Sequence, residues 1–246
     1  MQRYEKKMAE MFKKVEPAVR PMQGQAGLQQ VAPIKTETPV QPEQGYEIPS
    51  VGYEIISDEP QKLAEDPLVS AAMQTVDWEA RRDKRGNLSI YALPSGDLGG
   101  NYEVAGINDR YHPQAFKKIS SLPAEQREKA AAEYIRQYTS PFVNQLPEQI
   151  RPFAQDLAFN RGAGGATKYI QQGLNSLGQK VSIDGRLGPQ TLQAIQGVDP
   201  KALMKAASQA QLQDEYARAR SNPERRKFLQ GLENRINNRL SLFGAV

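Results

Sequence analysis

The sequence predicts a mostly α protein with one small β-tongue, preceded by an extended Pro-rich N-terminal arm. Three observations carry that expectation. From Asp66 onward, segments of helical length follow one another, each opened by proline or closed by glycine. Only residues 88–93 (Leu-Ser-Ile-Tyr-Ala-Leu) alternate in the manner of a strand. Eight of the chain's 17 prolines lie between Pro17 and Pro67, in a stretch with almost no helical periodicity.

Taken in order, residues 1–16 read as a short amphipathic helix. Tyr4, Met8, Met11, Phe12 and Val15 share one face at helical spacing, with Lys and Glu opposite. A helix of that length is marginal alone in water, and its charged face is mixed rather than basic, so a protein partner suits it better than a membrane surface. Residues 17–66 cannot bury enough apolar surface to offset their ordering entropy, which predicts a flexible or extended tether. Within the tether, Gly45-Tyr46-Glu47-Ile48 recurs as Gly52-Tyr53-Glu54-Ile55, a pattern suited to docking on a sheet edge or into pockets.

The globular part is expected to begin at Asp66-Pro67, an N-cap followed by proline at the first helical position. That helix is expected to run to about Asp83, before Gly86. After the β-tongue, helices are expected near 113–118, 124–138, 146–160, 166–177, 189–195, 200–220 and 223–240.

Composition excludes several chemistries. With no cysteine there is no disulfide, thiolate nucleophile or Cys-ligated zinc. The one histidine, His112, rules out a site needing two imidazoles, and before Pro113 it reads as structural. No metal or organic cofactor is implied. No stretch approaches the ~18 apolar residues of a membrane span, and charge interrupts residues 1–16 too often for a secretory signal. The net charge of +4 is modest. Basic residues gather from Lys201 onward, where a solvated helix face accounts for them better than an anion-binding patch, and nucleic acid is not an expected partner.

Glu79 is the candidate acid, although on its residues alone an ordinary surface glutamate explains it better, and resemblance to a known family is what turns the choice toward chemistry. It falls seven positions after Ala72 and three after Val76, at the border of the apolar stripe formed with Val69 and Met73. A carboxyl at a core edge is partly desolvated, which raises its pKa and suits it to general acid work. Asp97, before Gly99-Gly100, is the second carboxylate; catalysis and capping of its glycine turn explain it equally well. The cluster Gly162-Ala163-Gly164-Gly165-Ala166-Thr167-Lys168 lacks the Gly-Lys-Ser/Thr ending of a phosphate loop and reads as a tight turn between helices.

These segments, with Phe159-Asn160-Arg161-Gly162 and Ile183-Asp184-Gly185-Arg186-Leu187-Gly188-Pro189-Gln190-Thr191-Leu192, resemble the phage-type muramidases of glycoside hydrolase family 108. The similarity spans about residues 70–240. It departs from the family in Glu79-Ala80-Arg81-Arg82, where the family has Glu-Gly-Gly-Tyr, in a longer loop between Glu79 and Asp97, and in Asn108 where the family has Thr. The resemblance implies a lysozyme-like catalytic domain (67–178) and a helical peptidoglycan-binding-like region (179–246). It also implies Glu79 and Asp97 as catalytic carboxylates, with Tyr91, Tyr102, Glu103, Asn108 and Asn160 as substrate-binding residues. The expected partners are peptidoglycan and, through residues 1–66, other virion proteins. The expected location is the virion, with synthesis in the host cytoplasm and delivery to the periplasm or cell wall. Three alternatives use the same residues: a virion structural protein with a decayed muramidase domain, a holin-dependent endolysin, and a lytic transglycosylase.

Overall fold

The computed structural model describes residues 66–94 and 100–244. The N-terminal arm, its docking helix, the repeated Gly-Tyr-Glu-Ile and Asp97 lie outside the described residues. Among those described, seven α-helices and a three-stranded antiparallel sheet make up the fold, which is mostly α as expected.

Helix α1 (Pro67–Glu79) starts where the sequence places it. The Asp66 side chain accepts from the Leu68 N–H at 2.8 Å, satisfying an otherwise orphaned donor, and Pro67 supplies the preset first-turn φ. Its end differs from expectation. Ala80 is already extended (φ −67°, ψ 133°), so the helix stops at Glu79 and not near Asp83. The cause is a tight antiparallel turn over residues 81–89, in which Ser89 N–H donates to Arg81 O and Asp83 N–H donates to Asn87 O. That turn carries Leu88 into the core at 1% exposure. A helix running to Asp83 would forfeit this burial, a contribution of roughly 1.5–3 kcal/mol for a Leu.

Strands β1 (Tyr91–Ala92), β2 (Tyr102–Val104) and β3 (Ile107–Asn108) form the sheet in sequence order. Tyr91 pairs with Glu103, and Glu103 with Asn108. The β2–β3 connection is a two-residue turn with Ala105 at φ 48° and Gly106 at φ 78°, the left-handed pair that matches strand twist in a tight hairpin.

Helix α2 (Pro113–Ser121) and α3 (Arg127–Val143) follow, then α4 (Arg151–Ser176), α5 (Pro189–Gln196), α6 (Pro200–Ser221) and α7 (Leu229–Phe243). Helix α4 is broken at Gly162 (φ 68°, ψ 162°), so the glycine cluster is a one-residue kink between two helical segments. Residues 223–228, expected as α-helix, are 3-10 and lead into α7. Two apolar cores result. One joins Ala72 and Val76 of α1 to Val104, Ile107, Ile119 and Ile135. The other joins Leu68 to Phe153, Leu157, Ile170, Leu174 and Leu203. Helix α4 meets α6 closely enough that a Cβ at Gly173 would stand 2.8 Å from Ala207 N.

Candidate functional site

Glu79 occupies the last position of α1, beside both the β2–β3 hairpin and α7. The helix C-terminus presents carbonyl oxygens, an unfavourable setting for an anion. Gly106 brings the hairpin tip against the acid: a Cβ there would lie 3.3 Å from Glu79 Cγ and 3.0 Å from Phe159 Cε1. Glycine is required here twice, for its positive φ and for this approach. Phe159 stacks in turn with His112, whose Nδ1 lies 2.7 Å from Tyr134 Oη. The histidine is half-buried in an aromatic cluster, in keeping with its structural reading.

The Glu79 side chain keeps 27% of its surface open, and Oε1 accepts from Arg235 Nη1 at 2.9 Å. Burial raises its pKa above the ordinary carboxylate value, and the charges of Asp156 and Glu103 push the same way; the Arg235 guanidinium opposes them without cancelling the rise. Environment and spacing thus agree with the sequence-based expectation of a carboxyl that holds its proton more tightly than a surface glutamate.

Beneath Glu79 is a constellation that the sequence reading missed. Asp156 of α4 is completely buried. It accepts from Thr75 Oγ1 at 2.9 Å, from Arg235 Nη2 at 2.5 Å and from Arg239 Nη1 at 3.4 Å. Arg235 also lies over the Trp78 ring, 4.7 Å from its centroid, and Arg239 lies 4.8 Å from the centroid of Phe153 while bonding Gln211. These two arginines belong to the C-terminal basic run expected to be a solvated face. That expectation fails for both, because the buried carboxylate of Asp156 compensates them inside the protein. Arg218 and Arg225 are likewise paired, with Asp214 and Glu215.

Of the residues assigned to substrate, Tyr91 and Glu103 are brought together beside Glu79. They are cross-strand neighbours on one face, the Tyr91 hydroxyl donates to Glu103 Oε1, and Arg81 stacks 3.8 Å from the Tyr91 ring centroid. Burial and the Glu103 bond push the Tyr91 hydroxyl pKa far up, so it remains a donor. Asn108 shares that face by register, but it is buried and its Oδ1 accepts from Tyr111 N–H at 2.8 Å, which fixes the loop leaving β3. Tyr102 alternates to the opposite face and is 51% exposed. Asn160 caps the Asp156 backbone carbonyl at 2.9 Å, just before the α4 kink. Ala80-Arg81-Arg82 also acquires a structural account: Arg82 forks onto Glu128 of α3, with one bond of 2.9 Å, and reaches Asp77 at 2.9 Å. Among the described residues, no group of three or more His, Asp or Glu could hold a metal ion, and no helix is long and apolar enough to cross a membrane.

The motif at 183–192 shapes backbone. Gln171 of α4 is its hub, donating to Asp184 Oδ1 at 2.8 Å and accepting from Gly185 N–H at 2.9 Å. Gly185 (φ 75°) backs against α4, where a Cβ would meet Gly164 O at 3.0 Å, so the two glycine-bearing segments explain each other. Gly188-Pro189 then opens α5.

Residues 165–237 match the family described as "Predicted Peptidoglycan domain". That ties the C-terminal part of this protein to peptidoglycan. The stretch holds both the Gln171 hub and Arg235, so the matched region supplies Glu79's partner. No curated protein matches the sequence. Among solved structures, that of Brucella abortus SagA is similar with a TM-score of 0.51 and 17% identity, covering 76% of this chain and 96% of that chain. The likeness is one of fold.

Proposed function

We propose that this protein cleaves the glycan strand of peptidoglycan, with Glu79 as the general acid. The observation that carries the reading is the state of the Glu79 carboxyl: raised in pKa by burial, yet still open over a quarter of its surface to a substrate. A protonated Glu79 donates to the glycosidic oxygen as the bond to the sugar breaks, leaving an oxocarbenium-like centre. A second carboxylate then stabilises that centre or activates water. Asp97 is the residue proposed on sequence grounds, and Glu103, which the sequence reading assigned to substrate, is a second candidate because it is held by the Tyr91 hydroxyl and its charge reaches Glu79. The family match over 165–237 supports peptidoglycan as the substrate.

We further place the protein in a phage particle, anchored by residues 1–66 and acting on the wall during genome entry. The amphipathic spacing of residues 4–15 and the repeated Gly-Tyr-Glu-Ile support that assignment. A second reading, peptidoglycan binding without cleavage, is favoured by one observation: the acid is already engaged by Arg235. A zymogram on purified peptidoglycan separates the two. Wild type should clear the gel and folded Glu79→Gln should not; clearing by both, or by neither, defeats the proposal.

A further inference from the structure

Arg235 stands between two carboxylates that are 77 residues apart in sequence, offering Nη1 to Glu79 and Nη2 to Asp156. Its side chain is 14% exposed, and its planar group is held over the single tryptophan, Trp78. Asp156 is fixed from below by Thr75 and by Arg239, which is itself 1% exposed. An arginine fork suits this geometry because two parallel donors on one rigid plane reach two acceptors at once.

We propose that Arg235 is a positioning residue for Glu79, suspended from Asp156 and Trp78, which aims the acid's carboxyl and sets how readily it releases its proton. The proposal rests on the reading of Glu79 as the general acid. With Glu79 protonated, the group of Glu79, Asp156, Arg235 and Arg239 carries one net positive charge; with Glu79 ionised it is neutral. The charged groups acting on the acid come from three elements: Arg235 of α7 favours release of the proton, while Asp156 of α4 and Glu103 of β2, together with burial, favour its retention. Tyr91 of β1 faces the same space as a neutral donor. When Glu79 gives its proton to a leaving oxygen, the nascent carboxylate already accepts from Nη1, so no group has to reorganise. In this arrangement a helix of the peptidoglycan-family region completes the acid's setting.

The test uses the full chain with 13C-labelled glutamate, following the Glu79 carboxyl resonance, which is identified by its disappearance in Glu79→Gln. In folded Arg235→Gln the titration midpoint of Glu79 should rise by about one pH unit or more, since an opposite charge in contact normally depresses a carboxyl by that amount. The alkaline limb of glycan cleavage should move with it. An unmoved midpoint in folded Arg235→Gln overturns the inference. Should Arg235→Gln not fold, Arg235→Lys gives the readout. It keeps the charge but cannot fork, and kcat should fall roughly tenfold or more with little change in KM; turnover and titration like wild type overturn the inference. A wild-type protein that cleaves nothing, but whose Glu79 midpoint moves in Arg235→Gln, refutes the enzymatic reading and leaves the positioning role supported. Cleavage with an unmoved midpoint does the reverse.

Discussion

Replacing Asp156 with Asn removes the one anion that two arginines share. The carboxylate is completely buried and pairs with Arg235 and Arg239. Arg235 retains Glu79, whose carboxyl ionises more readily once the Asp156 charge is gone, so its share of the loss is smaller. Arg239 retains only uncharged partners, the Gln211 amide and the Phe153 ring, and is 1% exposed. Burial already pulls Arg239 down to about 10 against the upward pull of Asp156, and without Asp156 that burial stands uncompensated. Stranding one buried charge costs about 3–5 kcal/mol, a large part of the ~5–15 kcal/mol that keeps a domain folded. With a urea slope of about 2 kcal/mol per molar, the unfolding midpoint should fall by roughly 1.5–2.5 M. Urea titration followed by circular dichroism measures it, and adding Arg239→Met to Asp156→Asn should recover most of the loss. A cost below about 1 kcal/mol, or no recovery in the double variant, would show that the buried network does not hold the protein together as argued.

Three further outcomes follow from the geometry. Gly106→Ala places a Cβ 3.0 Å from Phe159 and 3.3 Å from Glu79 at a φ of 78°; it should cost about 1–2 kcal/mol in urea unfolding and lower kcat more than it raises KM. Because the Glu79 pKa is raised on folding, the folded state binds the extra proton, and the penalty of ionising the buried acid is absent below the unfolded value of 4.5 and fully present above the folded value. Glu79→Gln should therefore gain stability relative to wild type as pH rises from 4.5 through the folded-state pKa of Glu79, and the gain should vanish as pH falls back to 4.5; a gap that widens on acidification contradicts the assignment. Deleting residues 1–65, which leaves the Asp66 cap of α1 in place, should leave cleavage of purified peptidoglycan unchanged and remove the protein from purified particles, as immunoblotting of the particles would show.

Helix starts were legible in the sequence because they are local. Asp66-Pro67, Gly188-Pro189 and Asp199-Pro200 each set a cap or a first-turn φ from their own atoms. The end of α1 was not legible, because Glu79 is followed by residues that tolerate helix; burial of Leu88 and the Arg82 fork onto Glu128 decide it from elsewhere. The core-edge position of Glu79 was legible from its place on the apolar stripe, while its choice as the acid came from the family resemblance. Asp156 was not singled out, although a carboxylate set among Phe153, Ala154, Leu157 and Ala158 interrupts an apolar face and signals a buried partner. Arg235 and Arg239, four apart and flanking buried Ile236, carried the matching signal, but net charge alone made them look solvated. Such pairs span 79 and 83 residues, and no local pattern encodes which charge meets which.

The central claim, that Glu79 protonates a glycosidic bond of peptidoglycan, is tested most directly by mass analysis of the soluble fragments released from purified peptidoglycan. Wild type should release glycan fragments ending in ordinary reducing sugars, and Glu79→Gln, folded by circular dichroism, should release none above the no-enzyme level. Anhydro ends in the wild-type products would contradict hydrolysis, and equal release by Glu79→Gln would contradict the role of Glu79.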